Sequence, residues 1–476
     1  MKQQFTIQAI TNCSIEYEGT IEYSTDYGKT WCILDTLSLP AGHEAQFRNA
    51  QSSSNDCFII EGYFNVYGHI STLAPYGTEV FMWMFYQTHV VNASKLILDF
   101  DELWPRAYYG MFSCCDKLTS TPELPATTLA IACYGLMFTY CTSLSTAPAL
   151  PVTTLAENCY SYMFKGCISL RKAPELPATT LAQRCYGGMF YKCTGLLKAP
   201  ELPATELAPS CYENMFFNCN GLTSAPSILP ATTLAENCYQ NMFKDCASLK
   251  RAPELPATEL AEACYSYMFN GCTNLATAPK LPATTLANSC YSHMFKYCTS
   301  LTTAPELPAT TLDYNCYAYM FNNCTRLTTA PSVLPATTLA QYCYYYMFAG
   351  CTSLVNVPSS IGTSSTKMRE SACTSMFSGC TNLTTAPALP ATELAPFCYG
   401  GMFYDCENLT VAPMLLAIKT DEKPYLCMFH GCIRLKKRPV MPKKAYLEAV
   451  KIGFIPNGLV KNKHFYETTV YNPSNH

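Results

Sequence analysis

The sequence predicts an α/β repeat solenoid, with one helix and one short extended segment per coil, carrying a small N-terminal all-β domain. Three observations lead there. The dipeptide Met-Phe recurs from Met111 to Met428 at spacings of 26, with 27 at two places and 29 at one. Fixed self-similarity at such a period is the mark of a repeat array. Within each unit the apolar residues recur every fourth position, and residues 1–80 lack the unit altogether. The chain therefore divides into a β-sandwich-like domain (1–80), a solenoid of 13 repeats plus an N-terminal capping coil (81–440), and a C-terminal cap (441–476).

In the first region apolar and polar residues alternate, as in Phe5-Thr6-Ile7-Gln8-Ala9-Ile10, and turn signals at Asp26-Tyr27-Gly28 and Ala41-Gly42 separate short strands. Ser24-Thr25-Asp26-Tyr27-Gly28-Lys29-Thr30-Trp31 fits the Asp-box pattern S-x-D-x-G-x-T-W. It resembles the hairpin turns of sialidase propeller blades, where the motif folds the turn and takes no part in the chemistry. A propeller needs several copies and this chain has one, so a structural hairpin is expected rather than a glycosidase. Gly28-Lys29-Thr30 is no phosphate-binding loop, because Tyr23 stands where the first glycine would be.

Most repeats read L-P-A-T-T-L-A-x-x-C-Y-x-x-M-F-x-x-C-x-x-L-x-x-A-P-x. Leu155, Ala156, Cys159, Tyr160, Met163, Phe164 and Cys167 fall on one face of an α-helix of about three turns. Thr154-Leu155-Ala156-Glu157 fits a capping box at its start, repeated at Thr233 to Glu236. After the helix, Leu170 and Ala173-Pro174-Glu175-Leu176-Pro177 form an extended return. Its two prolines remove ladder donors and keep any strand short. The 27-residue coils each insert one residue (at Ser227-Ile228-Leu229 and Ser332-Val333-Leu334), and Pro358 to Glu370 interrupt one coil as a loop or flex point.

This pattern resembles the BspA-type leucine-rich repeats, whose units run as Phe, two residues, Cys, two residues, Leu before an extended strand. The match is to the variant with Met-Phe before the cysteine, as in Met163-Phe164-Lys165-Gly166-Cys167-Ile168-Ser169-Leu170, and spans about residues 84–440. The resemblance implies bacterial surface adhesion and recognition, or attachment proteins of viruses that infect such bacteria. It implies no single ligand.

The chain has 476 residues, 49% hydrophobic and 14% charged, with a formal net charge of −3. That excludes a disordered chain and gives no reason to expect a nucleic-acid binder. No apolar run approaches the roughly 18–20 residues of a spanning helix, so no membrane insertion is expected. From Leu416 onward 11 Lys and Arg face 4 Asp and Glu, a basic end that reads as a solvated cap. Met1 to Gln8 lack the apolar core of a signal peptide. A virion tail, fibre or attachment component is therefore expected ahead of a bacterial cell-surface adhesin.

Of 29 cysteines, 23 stand in two columns, exemplified by Cys159 and Cys167. Eight residues apart on a helix, they would sit about 12 Å from each other. A disulfide needs Cα atoms within about 7 Å. They read as reduced, buried core residues. No histidine or C-x-x-C pattern supports a metal, no nucleophile-base arrangement stands out, and neither a cofactor nor catalysis is expected. The variable positions flanking Met-Phe are rich in Tyr, Ser, Gly and Asn, among them Gly187-Gly188. In the helical reading they face solvent, and Tyr162, Tyr267, His293, Tyr319 and Tyr346 form a candidate binding stripe. The expected partner is a protein or surface glycan on a bacterial or host cell, with residues 1–80 free to join other virion proteins.

Overall fold

The computed structural model describes residues 2–51, 57–417, 419–420, 423–436 and 439–440. The cap expected at 441–476 lies outside the described residues. The chain forms two compact units, Met1–Ile228 and Leu229–His476.

The first unit opens with eight strands: β1 (Thr6–Ala9), β2 (Cys13–Tyr17), β3 (Thr20–Ser24), β4 (Cys32–Ile33), β5 (Leu37–Leu39), β6 (Glu44–Gln51), β7 (Phe58–Glu61) and β8 (Phe64–His69). With β9 (Val90–Ile97) they make a six-stranded sheet, β4-β3-β6-β1-β8-β9, and a three-stranded sheet, β5-β2-β7. Alternation places Phe5, Ile7, Phe47 and Phe58 inside, where Phe47 and Phe58 meet edge to face at 5.5 Å. Of these nine strands only β9 pairs in parallel, against β8. It also bridges forward, Asn92 to Ser120, and so carries the sheet into the first coils. Phe85 stacks on Phe58 at 5.7 Å and on Phe112 at 5.4 Å, joining the two cores.

The helix expected in each coil does not form. Among the described residues the sole helical segment is a 3-10 turn, Ile70–Thr72. The α/β class with a helix per coil is therefore corrected to coils of successive tight turns. Asn158, Tyr162 and Gly166 take φ of 54°, 54° and 73°, values closed to a right-handed helix. Backbone donors alternate in direction. The N–H groups of Asn158, Tyr160, Tyr162, Phe164 and Gly166 donate to the next coil, with Phe164 N to Met189 O at 2.9 Å. Those of Cys159, Ser161, Met163 and Cys167 donate three residues back. The capping boxes are corrected too: Thr154 bridges Thr180 and Thr233 bridges Glu259 in parallel.

The reason lies in the period. An apolar pair every fourth residue drifts by about 40° per step around a helix of 3.6 residues per turn. A chain of turns with one left-handed residue in four repeats without drift. It points Cys, Tyr, Met and Phe inward in most coils, where they are buried. Tyr134 stacks on Tyr160 at 5.9 Å and Phe138 on Phe164 at 5.7 Å. Each buried Phe is worth roughly 1.5–3 kcal/mol. The cysteines are free thiols, and those after Met-Phe donate to the preceding coil, as Cys193 Sγ does to Phe164 O at 3.0 Å. Burial pushes the Cys193 thiol up to about 12.

The second unit repeats this architecture. Asn237, Asn241 and Asp245 hold the φ > 0 positions, Phe269 stacks on Phe295 at 5.6 Å, and Cys298 Sγ donates to Phe269 O at 3.1 Å. Parallel contact between its coils contracts to single bridges and to the two-residue strands β10 (Thr338–Leu339), β11 (Lys367–Met368), β12 (Glu393–Leu394) and β13 (Lys419–Thr420). Lys367–Met368 pairs with Thr338–Leu339, and Ile361 and Thr366 are buried, so the 358–370 interruption is built into the coil. The two single-residue insertions are each held by a glutamate of the coil before: Ser227 N and Oγ donate to Glu201 in the first unit, and Ser332 N and Oγ to Glu306 in the second.

Candidate functional site

Three columns of left-handed residues run along the coils and carry the variable side chains. The middle one holds Gly110, Leu136, Tyr162, Gly188 and Asn214 in the first unit. In the second unit it holds Asn241, Tyr267, His293, Tyr319, Tyr346, Ser375, Gly401 and Cys427. The turn needs a positive φ there, which glycine accepts freely and asparagine more readily than most residues. The tyrosines are held in place by what they stack on.

In the second unit the structure brings four of the five expected residues together. His293 lies between Tyr267, at 4.2 Å and 12°, and Tyr319, at 4.5 Å and 22°. Tyr346 stacks on Tyr319 at 5.2 Å. Lys244 sits 5.0 Å from the Tyr267 ring and Lys296 4.9 Å from the Tyr319 ring, as cation–π partners. Ser292 Oγ lies 2.8 Å from His293 Nδ1. Burial, then Lys296 and Lys244, hold the His293 pKa down to about 3, so the imidazole is neutral. Because the ring faces are spent on one another, the residues are half-buried, not the solvent-facing row that a helix would give. Tyr314, Tyr342 and Tyr345 extend the patch edge to face, Tyr342 to Tyr345 at 5.2 Å.

The fifth residue, Tyr162, belongs to the first unit and to a different surrounding. Lys165 Nζ lies 5.4 to 5.5 Å from the Tyr140, Tyr162 and Tyr191 rings. Gly188 follows Tyr162 in the column, and a Cβ there would lie 2.2 Å from the Tyr162 ring. Tyr109 lies likewise over Gly135, where a Cβ would come within 2.8 Å. Beside these rings runs a groove of about 480 Å³, lined by Arg106, Glu157, Arg184 and Glu213 among others. None of those four was legible as a site residue. What marks the place in the sequence is Gly187-Gly188, a pair without side chains in the coil after Tyr162.

Two polar clusters of the N-terminal strands have structural roles. Asp26 is occupied by its own turn: its carboxylate accepts from Thr30 N and Oγ1 and from Ser24 Oγ, bonds that hold its pKa down to about 2. Asp99 accepts from Ser71 Oγ and Lys2 Nζ and contacts His69 Nδ1 at 3.1 Å. Serine and histidine both turn to the carboxylate rather than to each other, so the cluster ties Lys2 and the end of β8 to Asp99, just after β9. Among the described residues no three metal-ligating side chains converge, and no helix is long and apolar enough to cross a membrane.

The BspA type leucine-rich repeat region family matches residues 106–250, 186–328, 236–384 and 288–420. Together these span more than half of the chain, and the protein belongs to this family. Among solved structures, a leucine-rich repeat protein from Bacteroides ovatus is similar at 20% identity and a TM-score of 0.42, over 76% of this chain and 85% of its own. No curated protein matches the chain.

Proposed function

We propose that this chain is a non-enzymatic recognition protein that binds through the turn columns. One observation carries the reading. The buried Tyr, Met, Phe and Cys columns are nearly uniform from coil to coil, while the left-handed columns beside them change at almost every step and collect aromatic and polar side chains. Tyr and His held rigid by stacking offer contact area at little entropic cost on binding. The partner is a protein or glycan on a bacterial or host cell. The chain serves as a tail, fibre or other attachment component of a virion, with residues 1–80 meeting other virion proteins; a bacterial surface adhesin is the alternative. Mass spectrometry of purified particles against washed cells separates the two, and recovery from cell envelopes alone would end the virion reading. Fluorescently labelled protein should bind intact cells, and the triple change Tyr267→Ala, Tyr319→Ala, Tyr346→Ala should abolish that binding. Unchanged binding removes the aromatic stripe as the site.

A further inference from the structure

We infer that the groove beside Tyr109 and Tyr162 is a second binding site, and that its ligand is a neutral oligosaccharide lying along the coils. The volume of about 480 Å³ falls within the range of about 300–1,000 Å³ typical of small-ligand sites. Its lining includes the small residues Ala132, Ser161 and Gly187, which take up little of the space.

The charges favour an uncharged ligand. Two arginines, Arg106 and Arg184, face two glutamates, Glu157 and Glu213, and Arg184 pairs with Glu213 at 3.6 Å. An anionic chain would meet the carboxylates and a cationic one the guanidinium groups. A hydroxyl both donates and accepts, so it satisfies either. The acceptors are also fixed in place. Asn158 Nδ2 donates to Glu157 Oε1 and Asn214 Nδ2 to Glu213 Oε1, both at 3.1 Å, giving two carboxylate–amide pairs two coils apart.

The backbone argues against a peptide added as a strand. Ala132 N donates to Glu157 O, Leu136 N to Ser161 O, Asn158 N to Gln183 O and Tyr162 N to Gly187 O. The groove backbone therefore has no free edge to extend. Tyr109 and Tyr162 supply the apolar surface on which the C–H face of a sugar ring rests. The spacing of coils, about 4.8 Å as in any ladder of hydrogen-bonded chains, is close to the length of one pyranose ring. Successive sugars would then meet successive coils.

This site is independent of the stacked tyrosines, and only the premise that turn columns bind is shared with the function proposed above. Titration calorimetry of the full chain with cellohexaose, maltohexaose, laminarihexaose and mannohexaose, beside polygalacturonate and a mixed decapeptide pool, tests it. At least one neutral hexasaccharide should bind saturably. Glu157→Gln and Tyr162→Ala should each weaken it about tenfold or more, the cost of losing a hydrogen bond to a charged group or an aromatic contact. The triple tyrosine variant of the second unit should bind it unchanged. The inference is overturned if no neutral hexasaccharide binds, if Glu157→Gln and Tyr162→Ala leave binding intact, or if polygalacturonate or peptide binds in its place. Loss of binding in the triple variant alone would place the sugar on the stack, and overturn the groove while sparing the broader function.

Discussion

Tyr162 of the first unit and Tyr267 of the second hold the same position of the repeat, with φ of 54° and 58°, yet their surroundings are opposites. After Tyr162 comes Gly188, so its ring lies over bare backbone and a groove opens beside it. After Tyr267 comes His293, and the rings close into a stack that fills the same position. One residue in 26 decides between a recess and a ridge. Because the buried columns are unchanged, the array can vary its surface coil by coil without disturbing its core.

That separation of core from surface can be broken most directly at the core. Phe190→Ala in the first unit and Phe295→Ala in the second each remove a ring stacked on both sides. Each should cost about 3–5 kcal/mol, by transfer and cavity terms together, measured by denaturant unfolding. Clearly unequal costs would mean that groove and stack do not rest on the same core. On the surface the two regions should differ. Tyr319→Ala takes a ring from between His293 and Tyr346 and should cost about 2–3 kcal/mol from two stacks and partial burial. Tyr162→Ala, with Gly188 beside it, should cost less, about 1 kcal/mol. Equal losses would erase the distinction.

A pH titration sharpens it further. His293 titrates near 3 when folded and at about 6.5 when unfolded. The unfolded chain therefore takes up the proton first. Stability is complete above about pH 6.5 and falls as pH drops toward 3, by up to about 2 kcal/mol at pH 5 before solvent screening of this half-buried group reduces it. His293→Tyr keeps the stack and removes the titration, so its melting temperature should fall less between pH 7 and pH 5 than that of the natural chain. Parallel curves would show that the imidazole is not desolvated by its neighbours.

The repeat, its core columns and the family could be read from the sequence, because buried positions recur with little variation. The helix is a false expectation because Leu155, Cys159, Tyr160, Met163 and Phe164 satisfy a helical face over one unit. Only the strict period of four, sustained to Cys167, conflicts with 3.6 residues per turn. A second sign was present: Gly166, Asn218, Asp245, Gly271, Asn323, Gly350 and Gly379 share one column, and these are the residues that accept positive φ. The groove was hidden for another reason. Arg106, Glu157, Arg184 and Glu213 lie in different coils, and only the stacking distance brings them together.

The smallest expected change in stability comes from exchanging the two surroundings. Gly188 has φ of 60° and His293 has 59°, so the backbone at Gly188 already has the conformation that His293 occupies. In Gly188→His the new Cβ would lie on the Tyr162 ring, which must swing upright to stack as Tyr267 does. A side chain in the left-handed region costs about 1–2 kcal/mol. Reduced freedom of the unfolded chain returns about 0.4–1 kcal/mol and the new stack about 0.5–1.5 kcal/mol. The net change should stay within about 1 kcal/mol, while the groove fills and its affinity for a neutral hexasaccharide disappears. A loss well beyond that range would show that Tyr162 cannot leave the ring cage around Lys165, and that the recess is fixed by its neighbours rather than by the glycine alone.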